Sequence, residues 1–105
     1  MVKIYDISIK TPIGTQNGKL TLLINENSLS GTIASSNIKS SFNNGKITNN
    51  NFEFSGTINK GFLYISYYAK GTLNNDIITG TVKTKYGTFV IKGTIVEYRV
   101  GEPQK

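Results

Sequence analysis

Three residue types are missing from this 105-residue sequence: cysteine, histidine and tryptophan. Without cysteine, the chain can form no disulfide bond and offers no thiol nucleophile. Without histidine as well, it lacks the nucleophile–base pairs of most hydrolases and the side chains that hold nearly all zinc and haem groups. We therefore predict a protein that is not an enzyme and that has no metal site and no cofactor.

Acidic residues are scarce, and the six that are present are dispersed: Asp6, Glu26, Glu53, Asp76, Glu97 and Glu102. Hydrolysis of a glycoside needs two carboxyl groups that converge on one bond. Glu26 and Asp76 fall in predicted turns. Glu53 alternates with Phe52 and Phe54, which are predicted to point inward, so its side chain is expected to face solvent. No two carboxyl groups are obliged to converge, and glycoside hydrolysis is not expected.

Long apolar segments are also absent. No apolar run approaches the roughly 20 residues that a membrane span requires. Residues 1–6 lack the apolar segment of a signal peptide. We therefore expect a cytoplasmic protein with no membrane partner.

The net charge is nevertheless +6, because twelve lysine and arginine residues outnumber the acidic ones. The lysines are spread along the whole chain, and Arg99 is the one arginine. Arginine is the preferred side chain for base edges and for bidentate phosphate contacts. We interpret the lysines mainly as solubilising residues that protect strand edges, and nucleic acid is not the expected partner.

Threonine, serine, asparagine and glycine dominate the remainder, and they suit strands and turns. Turn clusters rich in asparagine and glycine fall at residues 25–27, 35–37, 43–45, 49–51, 59–61, 74–76 and 85–87. Between them, apolar and polar residues alternate without a helical period. The pattern predicts eight strands, at residues 3–10, 18–24, 28–35, 38–42 with a continuation to 48, 51–58, 62–73, 77–84 and 88–98. It also predicts a single domain over 1–98 and a disordered tail over 99–105.

Five glycines recur inside the predicted strands: Gly31, Gly56, Gly71, Gly80 and Gly93. Each has apolar residues two positions before and after it, so it lies on the apolar face. Glycine weakens a flat sheet but relieves crowding where strands bend around a small lumen. With short consecutive hairpins, this predicts an all-β fold, a closed antiparallel up-and-down β-barrel.

The alternation also predicts which side chains fill the barrel. The expected interior set is Tyr5, Ile7, Ile9, Leu20, Leu22, Ile24, Leu29, Ile33, Phe52, Phe54, Ile58, Leu63, Ile65, Tyr67, Leu73, Ile78, Val82, Phe89, Ile91 and Ile95. A valine at Gly80 or Gly93 is expected to overfill the lumen, whereas a valine at the neighbouring threonine should be tolerated.

Several segments occur in the order found in a known family: Lys10-Thr11-Pro12-Ile13-Gly14, Leu20-Thr21-Leu22-Leu23, Ser30 to Ile33, Asn44-Gly45-Lys46-Ile47, Thr79 to Lys83 and Phe89 to Thr94. The chain therefore resembles a small bacterial calycin-like (lipocalin- or streptavidin-like) β-barrel domain of unknown function. Such domains stand alone or are fused to larger chains, some of them flavin-dependent oxidoreductases. The family commonly has tryptophan at the position of Tyr5 and methionine at that of Ile13. The resemblance implies the barrel and supplies no catalytic residue.

The concave apolar face and the resemblance together suggest a small apolar or aromatic ligand at the barrel mouth, or an accessory role. Bulky residues near predicted strand ends are the candidate ligand contacts: Tyr5, Pro12, Ile13, Tyr67 and Tyr86.

A second candidate surface is the row of aromatics on the opposite face of one strand, namely Phe62, Tyr64 and Tyr68. These rings could form a homodimer interface or stack the bases of single-stranded nucleic acid. They could equally be ordinary cross-strand neighbours, since aromatic residues favour strands.

Overall fold

The computed structural model describes residues 1–11, 14–35, 38–60 and 63–99. They form eight strands: β1 (Val2–Thr11), β2 (Gly14–Asn25), β3 (Ser28–Ala34), β4 (Lys39–Thr48), β5 (Asn51–Lys60), β6 (Leu63–Asn74), β7 (Ile77–Thr84) and β8 (Gly87–Arg99). No helix occurs in these ranges, so no helix that could cross a membrane is found there. The all-β prediction is confirmed. Of the predicted tail, Arg99 ends β8, and residues 100–105 lie outside the described residues.

Each strand pairs with the strand before it, and β1 also pairs with β8, so the antiparallel sheet closes on itself. Tyr5, for example, is opposite Leu20 on β2 and opposite Ile95 on β8. A β-bulge between Ile4 and Tyr5 increases the local twist where the first and last strands meet. The predicted closed up-and-down barrel is confirmed.

One end of the barrel, here called the sealed end, carries the turns at residues 26–27, 49–50 and 75–76. The first residue of each turn has a positive φ, near 59° for Glu26 and Asn49 and 58° for Asn75. Asparagine tolerates this left-handed conformation better than most residues, which explains the asparagine clusters at this end. The opposite end, here called the mouth end, carries the connections after β1, β3, β5 and β7.

Backbone hydrogen bonds join neighbouring hairpins at the sealed end. Each runs from the amide of an apolar residue near a strand end to a carbonyl of the preceding turn or of the first residue: Ile24 to Met1, Ile47 to Asn27, Leu73 to Asn50 and Ile95 to Asp76, at 2.8–3.0 Å. The side chains of these four residues are buried or pack against the core. The sealed end is therefore held by a ring of hydrogen bonds over an apolar layer.

The core is most completely buried in the middle of the barrel and towards the sealed end. Its fully buried large side chains are Tyr5, Leu20, Leu22, Leu29, Ile78 and Ile91. All six belong to the predicted interior set, which supports the alternation argument. Phe42, Ala69 and Ser40 are also buried but were not predicted to be.

Residues 43–45 do not form the predicted turn. They lie within β4, at a bulge where Leu29 is opposite Gly45 and Gly31 is opposite Phe42. Asn43 and Asn44 lie against the single β3 residue Ser30, so β4 carries one extra residue and continues as a strand. The asparagine–glycine pattern does mark a break in regular pairing, but this break is a bulge within β4 and not a turn between two strands.

Strands β4 and β5 pair regularly only on the sealed-end side of this bulge, between residues 46–48 and 51–53. Over residues 39–45 and 54–60, here called the β4–β5 seam, side chains bridge the strands instead. The Asn44 amide donates to Ser55 Oγ at 3.2 Å and accepts from the Ser55 backbone N–H at 3.1 Å. Inside the barrel, Phe42 and Phe54 stack with ring centroids 3.8 Å apart.

Two of the five strand glycines, Gly71 and Gly80, act differently from the prediction. A Cβ atom added at Gly80 would overlap the carbonyl oxygen of Lys70, and one added at Gly71 would overlap that of Thr79. Gly71 and Gly80 are opposite each other on β6 and β7. The nearest obstacle is therefore the backbone of the adjacent strand, and not the lumen side chains. These glycines permit the backbones of β6 and β7 to approach closely.

Candidate functional site

An apolar cavity of about 230 Å³ lies at the mouth end of the barrel. Its lining comes from seven of the eight strands, all except β4, and from flanking residues: Ile7, Ile9, Gln16, Asn17, Gly18, Ile33, Ala34, Ser35, Ile38, Ile58, Ile65, Val82, Thr84, Tyr86 and Phe89. None of these residues carries a formal charge. The cavity is thus an uncharged and mainly aliphatic space.

Several walls of the cavity are half-buried apolar side chains. Ile58 on β5 is directly opposite Ile65 on β6, and Val82 on β7 is directly opposite Phe89 on β8. Their alternation along the strands directs them inward. Because most of them retain partial solvent exposure, this part of the barrel is less completely filled than its middle, where Tyr5, Leu20 and Ile91 are fully buried.

Next to the cavity walls, deeper in the barrel, the buried hydroxyl groups of Ser40 and Tyr67 lie close together. Ser40 Oγ donates to the Thr57 carbonyl at 2.9 Å and lies 3.3 Å from Tyr67 Oη. Since Ser40 has a single hydroxyl hydrogen, Tyr67 donates to Ser40. Burial raises the pKa of Tyr67, and the Ser40 hydrogen bond partly offsets the rise. Gly56 leaves room for this hydroxyl, because a Cβ there would lie 2.7 Å from Tyr67 Oη.

The five predicted ligand contacts do not all meet at the cavity. Tyr86 lines the cavity and is 60% exposed. Tyr67 is not part of the lining; it is buried two residues after Ile65, on the same face of β6. Tyr5 is fully buried in the core. Pro12 and Ile13 lie outside the described residues.

The cavity's isoleucines were not singled out as ligand contacts. Ile9, Ile33, Ile58 and Ile65 were expected to be core residues, and Ile38 was not assigned. Their inward direction follows from alternation. Their incomplete burial depends on how the strands are arranged around the mouth, for which the sequence has no periodic signal.

Tyr5 is the other buried tyrosine, and its environment differs from that of Tyr67. Within the described part of the chain, its hydroxyl has no hydrogen-bond partner. Burial raises the pKa of Tyr5, and the negative charge of Asp76, in a sealed-end turn, raises it further. Tyr5 therefore packs in the core as an apolar side chain would. Its hydroxyl group is buried without a hydrogen-bond partner among the described residues.

The predicted outer aromatic row is present in part. Tyr64 is 68% exposed, and Phe62 lies outside the described residues. The Tyr68 hydroxyl donates to a carboxylate oxygen of Glu53 at 2.5 Å, and this bond raises the pKa of Tyr68. An acidic group beside the ring makes this face less suited to phosphate-bearing partners.

No family model matches the sequence, and no curated protein is similar to it in sequence. A solved structure is similar in fold: the crystal structure of HpuA from Kingella denitrificans in complex with human haemoglobin matches with a TM-score of 0.63. The two chains are 18% identical over 99% of this chain and 45% of the other. This similarity establishes the barrel fold, and the present chain spans less than half of the matched chain.

Proposed function

We propose that this protein is a non-enzymatic binding module whose mouth cavity takes a small apolar or aromatic ligand. The observation that carries the proposal is the uncharged cavity of about 230 Å³, walled by half-buried isoleucines. Apolar concave sites with a few polar groups are the usual form of small-molecule sites, including those in barrel mouths.

The cavity volume limits the size of the ligand. Drug-sized ligands occupy sites of roughly 300–1,000 Å³, and a cavity of about 150 Å³ lined by apolar side chains can bind benzene. At about 230 Å³, this cavity suits a ligand somewhat larger than benzene, such as an indole or a short alkyl chain.

Two further observations support a binding role. HpuA, whose chain includes a barrel of similar fold, is found in complex with another protein. The sequence motifs resemble a calycin-like domain that also occurs within larger chains, which agrees with an accessory role. Action in the cytoplasm remains part of the proposal.

The experiment is an NMR titration of the ¹⁵N-labelled protein with indole and with octanol. We expect shift changes at Ile9, Ile33, Ile58 and Ile65. Ile65→Trp fills the cavity and should abolish them. The control is Ile24→Trp, which adds the same bulk at a partly buried site of the sealed end and should leave binding intact. Saturable shifts confined to the outer face, or no shifts in a folded protein, would refute the proposal.

A further inference from the structure

Positive and negative charges are distributed differently at the two ends of the barrel. Of the acidic residues that the structure describes, Glu26 and Asp76 lie in sealed-end turns, and Glu97 lies near the sealed end of β8. Glu53 is near the sealed-end start of β5. Asp6 is in the middle of β1 and pairs with Lys19 at 2.6 Å. The mouth end therefore has no acidic side chain among its described residues.

Lysines, in contrast, are present at the mouth end: Lys10 near the end of β1, Lys39 at the start of β4, Lys83 near the end of β7 and Lys85 in the turn after it. All four are exposed, and none forms an ion pair with a described residue. Each is the chain neighbour of a residue that lines the cavity, either Ile9, Ile38, Thr84 or Tyr86.

One of these lysines has a defined position relative to the cavity. Lys85 Nζ lies 5.3 Å from the centroid of the Tyr86 ring, and Tyr86 lines the cavity. A cation–π contact of this kind holds the ammonium group beside the ring. The other three lysines have long flexible stems that can lie along an apolar rim while the charge remains in water.

From this arrangement we infer that the ligand is an amphipathic anion, with an alkyl or aryl group in the cavity and a carboxylate at the lysine-bearing rim. This inference rests on the proposed function, because it specifies the ligand class of the same cavity. A charge inside the uncharged cavity would be strongly disfavoured without a partner. A carboxylate at the end of the apolar group can instead remain hydrated at the rim, where the unpaired lysines attract it.

The test compares octanoate with octanol, which share an alkyl chain and differ in charge. We expect octanoate to bind more tightly, and its advantage to decrease as salt is raised, because exposed charges are screened within about 10 Å at 0.1 M. The variant K10Q/K39Q/K85Q should weaken octanoate binding about tenfold and change octanol binding less than about twofold. The matched control, K3Q/K46Q/K70Q, removes the same charge elsewhere and should retain the octanoate preference.

The outcomes separate this inference from the proposed function. Binding of neither compound would refute the proposed function itself. Equal binding of both compounds, or an equal loss in the two triple variants, would leave the cavity as a ligand site and overturn the assignment of an anion. Binding to vesicles containing phosphatidylglycerol, without binding of octanoate, would also overturn it, because the basic mouth would then recognise a lipid surface.

Discussion

At the sealed end, Leu22, Leu29 and Ile78 are almost completely excluded from solvent, whereas Ile58 and Ile65 at the mouth end are only half-buried. All five point inward on strands of similar composition. The sealed end has short turns whose carbonyl groups accept hydrogen bonds from the adjacent hairpin. The mouth end has a cavity, and the β4–β5 seam runs towards it.

From this comparison we propose that the sealed end serves mainly stability and the mouth end mainly ligand binding. Hydrophobic stabilisation increases with the apolar area removed from water, so the sealed end should contribute more per residue. Apolar surface left accessible at the mouth is available to a ligand. The five predictions that follow test this division, beginning with the largest expected effect.

The glycine pair on β6 and β7 should be the least tolerant site. Gly80→Val places a Cβ against the Lys70 carbonyl on the adjacent backbone, which cannot move as a side chain could. We expect a loss of at least about 3 kcal/mol in unfolding free energy, at the upper end for overpacking. Thr81→Val is the control and should change it by less than about 0.5 kcal/mol. Urea midpoints decide the question, and a Gly80→Val midpoint at or above wild type would contradict the close-approach argument.

Truncating a core side chain to alanine should lower the free energy of unfolding by different amounts at the two ends of the barrel. Leu22→Ala is expected to cost about 2–5 kcal/mol, because it opens a cavity in a filled layer. Ile65→Ala enlarges a space that already exists and removes a side chain that is partly solvated, so we expect about 1 kcal/mol. Chemical denaturation of both variants gives the comparison. Equal losses would mean that the mouth is as tightly packed as the sealed end.

The next prediction concerns Asn44 in the β4–β5 seam. Its side-chain amide donates a hydrogen bond to Ser55 Oγ and accepts one from the Ser55 backbone N–H. Asn44→Ala removes this bridge where regular β4–β5 pairing is absent, and should cost about 1 kcal/mol. Faster amide hydrogen exchange at Ser55 should accompany the loss. The neighbouring Asn43→Ala is the control and should affect neither measurement. If both alanine variants behave alike, the side-chain bridge does not hold the seam.

The buried tyrosines should respond in opposite directions, with small effects. Tyr67→Phe breaks the bond to Ser40 and should destabilise by about 1 kcal/mol. Tyr5→Phe removes a hydroxyl without a protein partner, so it should be neutral or slightly stabilising at pH 7. A clear loss of stability in Tyr5→Phe at pH 7 would show that this hydroxyl has a hydrogen-bond partner after all.

The pH dependence of Tyr5 follows from its raised pKa. As pH rises through about 10, the unfolded tyrosine loses its proton while the folded one retains it, so stability falls with rising pH. Tyr5→Phe should therefore reduce the alkaline loss of stability, as measured by thermal unfolding between neutral and alkaline pH. An unchanged alkaline slope would contradict the burial of this group.

Local residue chemistry was sufficient to predict the strands, the closed barrel and most of the core. Alternation assigns side chains to a face, asparagine and glycine mark turns, and inward glycines favour curvature; all three depend on neighbours within a few residues. The same local rules misplaced the turn at residues 43–45, because a bulge and a turn share the same residue preferences.

Only the tertiary structure decided which inward residues remain accessible. The sequence treats Ile65 and Leu22 alike, since each has apolar residues two positions before and after it, which alternation places on the same inward face. Their difference in burial arises from the packing of strands that are distant along the chain, as does the separation of the acidic residues from the mouth-end lysines. Likewise, the obstacle beside Gly80 is a carbonyl of the adjacent strand, and such a contact is set by the register and bending of two strands together.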